Sequence, residues 1–167
     1  TAIGTSAGVL SSGLNNATAI GYNASVNASD KVRIGNTAVT VIEGQVAWSY
    51  PSDIQIKKDI EGIGYGLEFV SQLRPVQYRL KEGNDRIDFG FIAQDIEMLL
   101  GTEYNILSIG EDAELELSLR YTDLIAPMVK AIQEQQEMID SQQVKIESQQ
   151  EQLDELKKIV EELKRRI

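Results

Sequence analysis

Cysteine and histidine are both absent from the 167 residues of this chain. Their absence excludes disulfides, thiol nucleophiles, zinc–thiolate sites, histidine general bases and histidine metal ligands. Any chemistry is left to Ser, Thr, Tyr, Lys, Asp, Glu, Asn and Gln. Positive charge is scarce as well: 16 Lys+Arg stand against 26 Asp+Glu, a formal net charge of −10. Nucleic-acid phosphates are bound by clustered positive charge, so nucleic acid is not an expected partner. No apolar run approaches the roughly 20 residues of a membrane span, and no membrane partner is expected. Thr1–Leu10 has neither the basic start nor the long apolar stretch of a secretory leader. Thr1 stands inside a repeat, so the chain reads as the tail end of a longer precursor.

What remains, 18.5 kDa in all, suffices for one ordinary domain or a small domain with extensions. Charge divides it. Residues 1–51 carry Lys31 and Arg33 against Asp30 and Glu43, and all of the net −10 falls on residues 52–167. The change of character lies near Pro51, and the expected domains are 1–51, 52–127 and 128–167.

The first zone is rich in Ala, Gly, Ser, Asn, Thr and Val and repeats itself. Thr1-Ala2-Ile3-Gly4-Thr5-Ser6-Ala7 recurs as Thr18-Ala19-Ile20-Gly21-Tyr22-Asn23-Ala24, and more loosely as Val32-Arg33-Ile34-Gly35-Asn36-Thr37-Ala38. The offsets of 17 and 14 residues suggest one solenoid coil per repeat, each too small to bury its own core. Ile is expected to pack inward and the Gly beside it to allow a tight turn. Val39-Thr40-Val41-Ile42 reads as a strand. A disordered Gly/Ser/Asn-rich linker is the competing reading. The repeat resembles the head repeat of trimeric autotransporter adhesins, which implies a β-roll wound from three chains.

The last zone reads as a long helix with an unbroken heptad from Met128. Position a takes Ile132, Ile139, Ile146, Leu153, Val160 and Ile167, and position d takes Met128, Gln135, Gln142, Gln149, Leu156 and Leu163. Alternating spacings of four and three are the sign of a left-handed coiled coil. Alone, such a helix would leave its apolar stripe in water, so identical partners are expected. Three consecutive Gln at d cost stability unless their amides find partners, and they fix register because a slipped helix would set Gln against Ile. A parallel trimer is expected, with an anion held by the Gln layers as an open alternative.

Between these zones, Ile60–Gln72 reads, after a Gly-broken start, as a helix ended by Leu73-Arg74-Pro75, because a residue before Pro avoids helical angles. Val76–Lys81 and Ile87–Ile92 read as a hairpin about a turn at Glu82-Gly83-Asn84-Asp85, and Ala93–Leu100 as an amphipathic helix. Tyr104–Ile109 and Leu115–Leu119 read as strands, with Thr122 or Asp123 capping the final helix. Gly62-Ile63-Gly64-Tyr65-Gly66 is read as loop, because it lacks dinucleotide spacing and follows no convincing strand. No nucleotide, metal or small-molecule motif appears, so neither cofactor nor metal is expected. The fold class is α+β: β-roll or solenoid repeats, a small α+β middle domain, and a helix forming a parallel trimeric coiled coil.

Four runs of the middle domain, taken in order, resemble the C-terminal intramolecular chaperone domain of endosialidases and other phage tail spikes and fibres. They are Ser52-Asp53-Ile54-Gln55-Ile56-Lys57-Lys58-Asp59-Ile60; Gly66-Leu67 with Leu73-Arg74-Pro75-Val76-Gln77-Tyr78; Gly90-Phe91-Ile92-Ala93-Gln94-Asp95-Ile96-Glu97; and Tyr121 through Glu134. The resemblance implies a homotrimer that templates the folding of a fibre, tail spike or adhesin and then cuts itself off. The implied cut lies before the Ser of a Ser-Asp pair, with a Lys five residues on: Pro51–Ser52, with Ser52 as nucleophile, Lys57 as base and Asp53 in support. Gln55 departs from the Arg often found there. The implied location is a phage tail or a bacterial cell surface, and the receptor or glycan of the upstream region is not legible.

The chemistry also follows from residue types. Without His or Cys, a Ser–Lys dyad is one of few nucleophile–base pairs available. Lys acts as a base only when neutral, which requires burial or a neighbouring cation, and Lys57 lies between Ile56 and Lys58. The bland alternative makes Ser52 a helix N-cap and Lys57 a solvated side chain. A stalk terminus that never cuts stays open as a second function, whereas a peptidase acting in trans is not expected, because no oxyanion-hole loop or cleft is legible.

Overall fold

A computed structural model describes residues 1–82, 85–110 and 115–166. The architecture is mixed α+β, with small sheets and one long C-terminal helix. Two compact units divide the chain: Thr1–Glu61 with Leu73–Asp123, and Gly62–Gln72 with Leu124–Ile167. Among the described residues no helix is long and apolar enough to cross a membrane.

In the first unit, the repeats form short parallel strands. β1 (Ala2–Ile3), β3 (Thr18–Ile20) and β5 (Val32–Ile34) make one sheet, and β2 (Gly8–Val9) pairs with β4 (Ser25–Val26) in another. Ala2 pairs with Ala19 and Ala19 with Arg33, so the ladder follows the two offsets of the sequence repeat. Turns between strands depend on glycine: Gly4 and Gly21 have φ of 129° and 113°, and a Cβ on Gly4 would lie 2.6 Å from the Gly21 carbonyl oxygen.

The side-chain orientation reverses the sequence expectation. The core is Ala17, Ala19, Ala24 and Val26, with Ala7 and Leu14 packed against it. The repeated Ile points the other way: Ile3 and Ile34 are 57% and 41% exposed. Strand side chains alternate faces, so burying Ala19 turns Ile20 outward. The inward positions are taken mostly by Ala, with Val26 and Leu14 beside them, and the repeated Ile stands outside. Ile3, Ile20 and Ile34 are register partners and form an apolar ladder on the outer face.

Val39–Ile42 is not a strand. It has apolar alternation, but among the described residues no strand pairs with it, and a strand is completed only by its ladder. From there to residue 61 the chain is irregular except for one 3₁₀ turn at Ile54–Ile56, and every residue is exposed.

The rest of this unit holds two hairpins and a helix. β6 (Val76–Tyr78) runs antiparallel to β7 (Asp88–Gly90), with Gln77 opposite Phe89. The strands are shorter than the alternation predicted, and Gly83 and Asn84 of the expected turn lie outside the described residues. α2 spans Ala93–Leu100 as predicted, ends at Gly101 and buries Ile96 to 1% exposure. It packs against the hairpin of β8 (Leu107–Ile109) and β9 (Leu117–Leu119).

In the second unit, the helix expected within Ile60–Gln72 after a Gly-broken start is α1, Leu67–Gln72. The three glycines between 62 and 66 keep the preceding residues out of helix. α3 runs from Ile125 to Arg166, with Pro127 near its start. A 3₁₀ turn over Tyr121–Leu124 precedes it, so neither Thr122 nor Asp123 stands directly at its first residue. At 42 residues, α3 is about 60 Å long.

Candidate functional site

Around residue 52 the geometry is set by a single turn of helix. Asp53 takes extended angles, φ −64° and ψ 140°, and its side chain accepts a hydrogen bond from the Gln55 N–H at 2.8 Å. This is an N-cap, which satisfies a donor that the short turn would otherwise leave open. The Ile56 N–H donates to the Asp53 carbonyl and the Lys57 N–H to the Ile54 carbonyl, both at 3.2 Å. With the turn closed, Lys57 Nζ donates to Ser52 Oγ at 2.7 Å.

Ser52 and Lys57 are therefore brought together, while the capping role falls to Asp53. Lys57 reaches back to the hydroxyl instead of extending into solvent. The burial expected for a lysine base is not supplied within one chain, because residues 51–60 are all exposed. Ile54, Ile56 and Ile60 are 73%, 64% and 64% exposed. Apolar cover thus surrounds the pair in sequence without enclosing it.

Along α3 the heptad residues stay uncovered. Ile132, Ile139, Ile146, Leu153, Leu156, Val160 and Leu163 are between 47% and 65% exposed. Gln135, Gln142 and Gln149 are exposed as well. Ile167 lies outside the described residues. The Gln that follows each d-position Gln is engaged along the flank: Gln136 donates to Asp140, Gln143 to Glu147 and Gln150 to Asp154. On α3 the groove beside α1 is lined by Glu134, Glu137, Met138 and Ser141, at positions c, f, g and c, and by Gln142 at d. α1 thus borders the a/d row at Gln142 and leaves the apolar a/d residues exposed.

Two further links had no signal in residue spacing. Glu134 Oε2 accepts from the Leu67 N–H at 2.6 Å, and Glu134 also pairs with Lys130 at 3.3 Å. The bond from Leu67, then Lys130, hold the Glu134 carboxyl below its usual range, against some desolvation. A Cβ on Gly66 would collide with that carboxylate. Likewise, Tyr121 Oη accepts from the Phe91 N–H at 3.2 Å, and a Cβ on Gly90 would meet the Tyr121 hydroxyl. All of these residues stand out in the sequence only as members of the four family-like runs, which do not say which residues touch. Among the described residues no group of carboxylates could hold a metal ion.

Residues 52–102 match the family described as chaperone of endosialidase. The match begins at Ser52 and includes the Ser–Lys turn, α1, the β6–β7 hairpin and α2. It supports an endosialidase-type chaperone role for this region of the chain. The run Tyr121–Glu134 lies beyond the matched segment of this chaperone family. No curated protein matches the chain.

Proposed function

We propose that this chain is a trimerising intramolecular chaperone, which templates the folding of β-structure ahead of it and then releases itself at Pro51–Ser52. The observation that carries the first half is the bare a/d row of α3, which follows a chaperone-family segment. A helix of this length gains stability in water mainly by burying its stripe. Three identical copies would bury it, stack Gln135, Gln142 and Gln149 in layers and hold three upstream strands in register. The outer Ile ladder of the repeats supports the same stoichiometry, since a β-roll of three chains would cover it. On this reading residues 1–51 are the end of a fibre or adhesin, 52–127 the chaperone domain and 128–167 the coiled coil, carried by a phage tail or a bacterial surface.

The second half rests on the contact between Lys57 and Ser52. With Lys57 neutral, the bond reverses and Ser52 Oγ–H donates to Nζ. Oγ then attacks the Pro51 carbonyl carbon while its proton passes to Nζ. The C–N bond to Ser52 breaks as the new C–O bond forms, and Lys57 returns the proton to the leaving amine. Water hydrolyses the resulting ester to the Pro51 carboxylate and regenerates the Ser52 hydroxyl. Nucleophile and scissile bond share a residue, which supplies much of the rate by proximity. Neighbouring copies would supply the cover that keeps Lys57 neutral.

A second reading keeps the trimer and omits the cut. The exposure of Ser52 and Lys57 in one chain favours it. Intact-mass spectrometry of freshly made protein separates the two. A fragment beginning at Ser52, abolished in Ser52→Ala and in Lys57→Ala, supports self-cleavage; a single intact mass after long incubation supports a permanent terminus. Removal of residues 52–167 tests the chaperone role, because folded, trimeric upstream repeats made without them would refute it.

A further inference from the structure

Four residues separate Ser52 from Lys57, and three of them make the single 3₁₀ turn Ile54–Ile56. The fourth is Asp53, which holds both sides of the turn's start: its side chain accepts from Gln55 N and its main-chain oxygen from Ile56 N. Nothing is buried in this turn. An isolated turn fixes several dihedral angles for very few hydrogen bonds and is unstable without added partners. Lys57 closes the turn through its own N–H, so the turn sets the distance across which its side chain reaches Ser52.

We infer that Asp53 is the positioning residue of the Ser52–Lys57 pair, acting through its capping hydrogen bond and not through its charge. The inference rests on the proposed nucleophile and base and adds to them a reason for the five-residue spacing. The run is nucleophile, cap, one turn, base. A carboxylate that paired with Lys57 would hold it charged and oppose its action as a base. Among the described residues Asp53 forms no ion pair with Lys57, and the oxygen it uses is directed at Gln55. When the turn unwinds, Nζ and Oγ are joined only by flexible chain and the proximity advantage falls.

The test uses the full chain and two readouts. The first is the rate at which the fragment beginning at Ser52 appears. Asn caps about as well as Asp, so Asp53→Asn retains the rate to within about twofold, whereas Asp53→Ala slows it about tenfold. Asp53→Glu keeps the charge but displaces the carboxylate by a methylene, and it is slow like Asp53→Ala. A slow Asp53→Asn beside a fast Asp53→Glu would overturn the inference in favour of charge, and an undiminished Asp53→Ala would overturn it outright. The second readout needs no cleavage. In the Ser52→Ala background, Asp53→Ala moves the Gln55 and Lys57 amide resonances toward unstructured positions and Asp53→Asn does not; unmoved resonances in Asp53→Ala would contradict the cap. If wild-type protein gives no fragment while the resonances behave as stated, the self-cleavage reading fails and the positioning of Lys57 by Asp53 stands.

Discussion

Leu67 donates its backbone N–H to the side chain of Glu134, 67 residues away, at 2.6 Å. The bond caps the start of a six-residue helix with a carboxylate from a 42-residue one. A helix as short as α1 is not stable by itself, so its place in the unit depends on that anchor and on the burial of Phe69. Gly66 is required directly before it because a side chain there would displace the carboxylate.

The anchor predicts a coupling. Gly66→Ala and Glu134→Ala each lower the melting midpoint, and the double variant falls no further than the worse single. Strict additivity in that double-mutant cycle would show that the two residues act separately.

It also predicts a pH dependence. The folded-state pKa of Glu134 lies below its ordinary value, chiefly because of the bond from Leu67. The folded state then binds fewer protons than the unfolded one, so the contribution is present above the ordinary carboxylate range and is lost as the pH falls through the folded value. Melting followed from about pH 6 toward pH 3 should show a decline that is shallower in Glu134→Gln.

Substitutions on the seam of α3 should have opposite signs. Leu156→Asp places a charge in the proposed buried row and reduces the protein to single chains in sedimentation. In the proposed trimer Gln142→Leu replaces a buried amide by an apolar side chain and stabilises the assembly by about 1–3 kcal/mol per chain, seen as a higher melting midpoint. A destabilised Gln142→Leu variant would mean that the Gln amides bond productively with one another or with a bound ion.

Trp48 supplies a probe of the irregular stretch before Ser52. It is the only Trp in the chain and is 76% exposed within one protomer, between Val46 and Tyr50 at 80% and 70%. Three such stretches meeting in a trimer would bury it. On dilution or in Leu156→Asp its emission should move to the red of the wild-type assembly, and an identical spectrum in both would place the stretch in solvent throughout.

Much of this was legible where the signal is local. The Ala93–Leu100 helix, the long α3, the β6–β7 hairpin and the offsets of the parallel ladder follow from periodicity over short windows. The direction of the repeats was not, because whether Ala or Ile faces inward is decided by how the strands stack. Val39–Ile42 misled for a related reason: alternation marks a surface suited to a strand, and among the described residues no strand pairs with it. The Ser52 site was legible in residue type and spacing, while the capping turn that brings Lys57 onto Ser52 depends on backbone angles at Asp53 that residue types do not fix. The Glu134–Leu67 and Tyr121–Phe91 contacts join residues too far apart in sequence for any pattern to pair them.

Association is the central claim, and the mass of the full chain in dilute solution tests it most directly. Light scattering combined with sedimentation should give three times the 18.5 kDa chain mass. A well-folded single chain under the same conditions would contradict it.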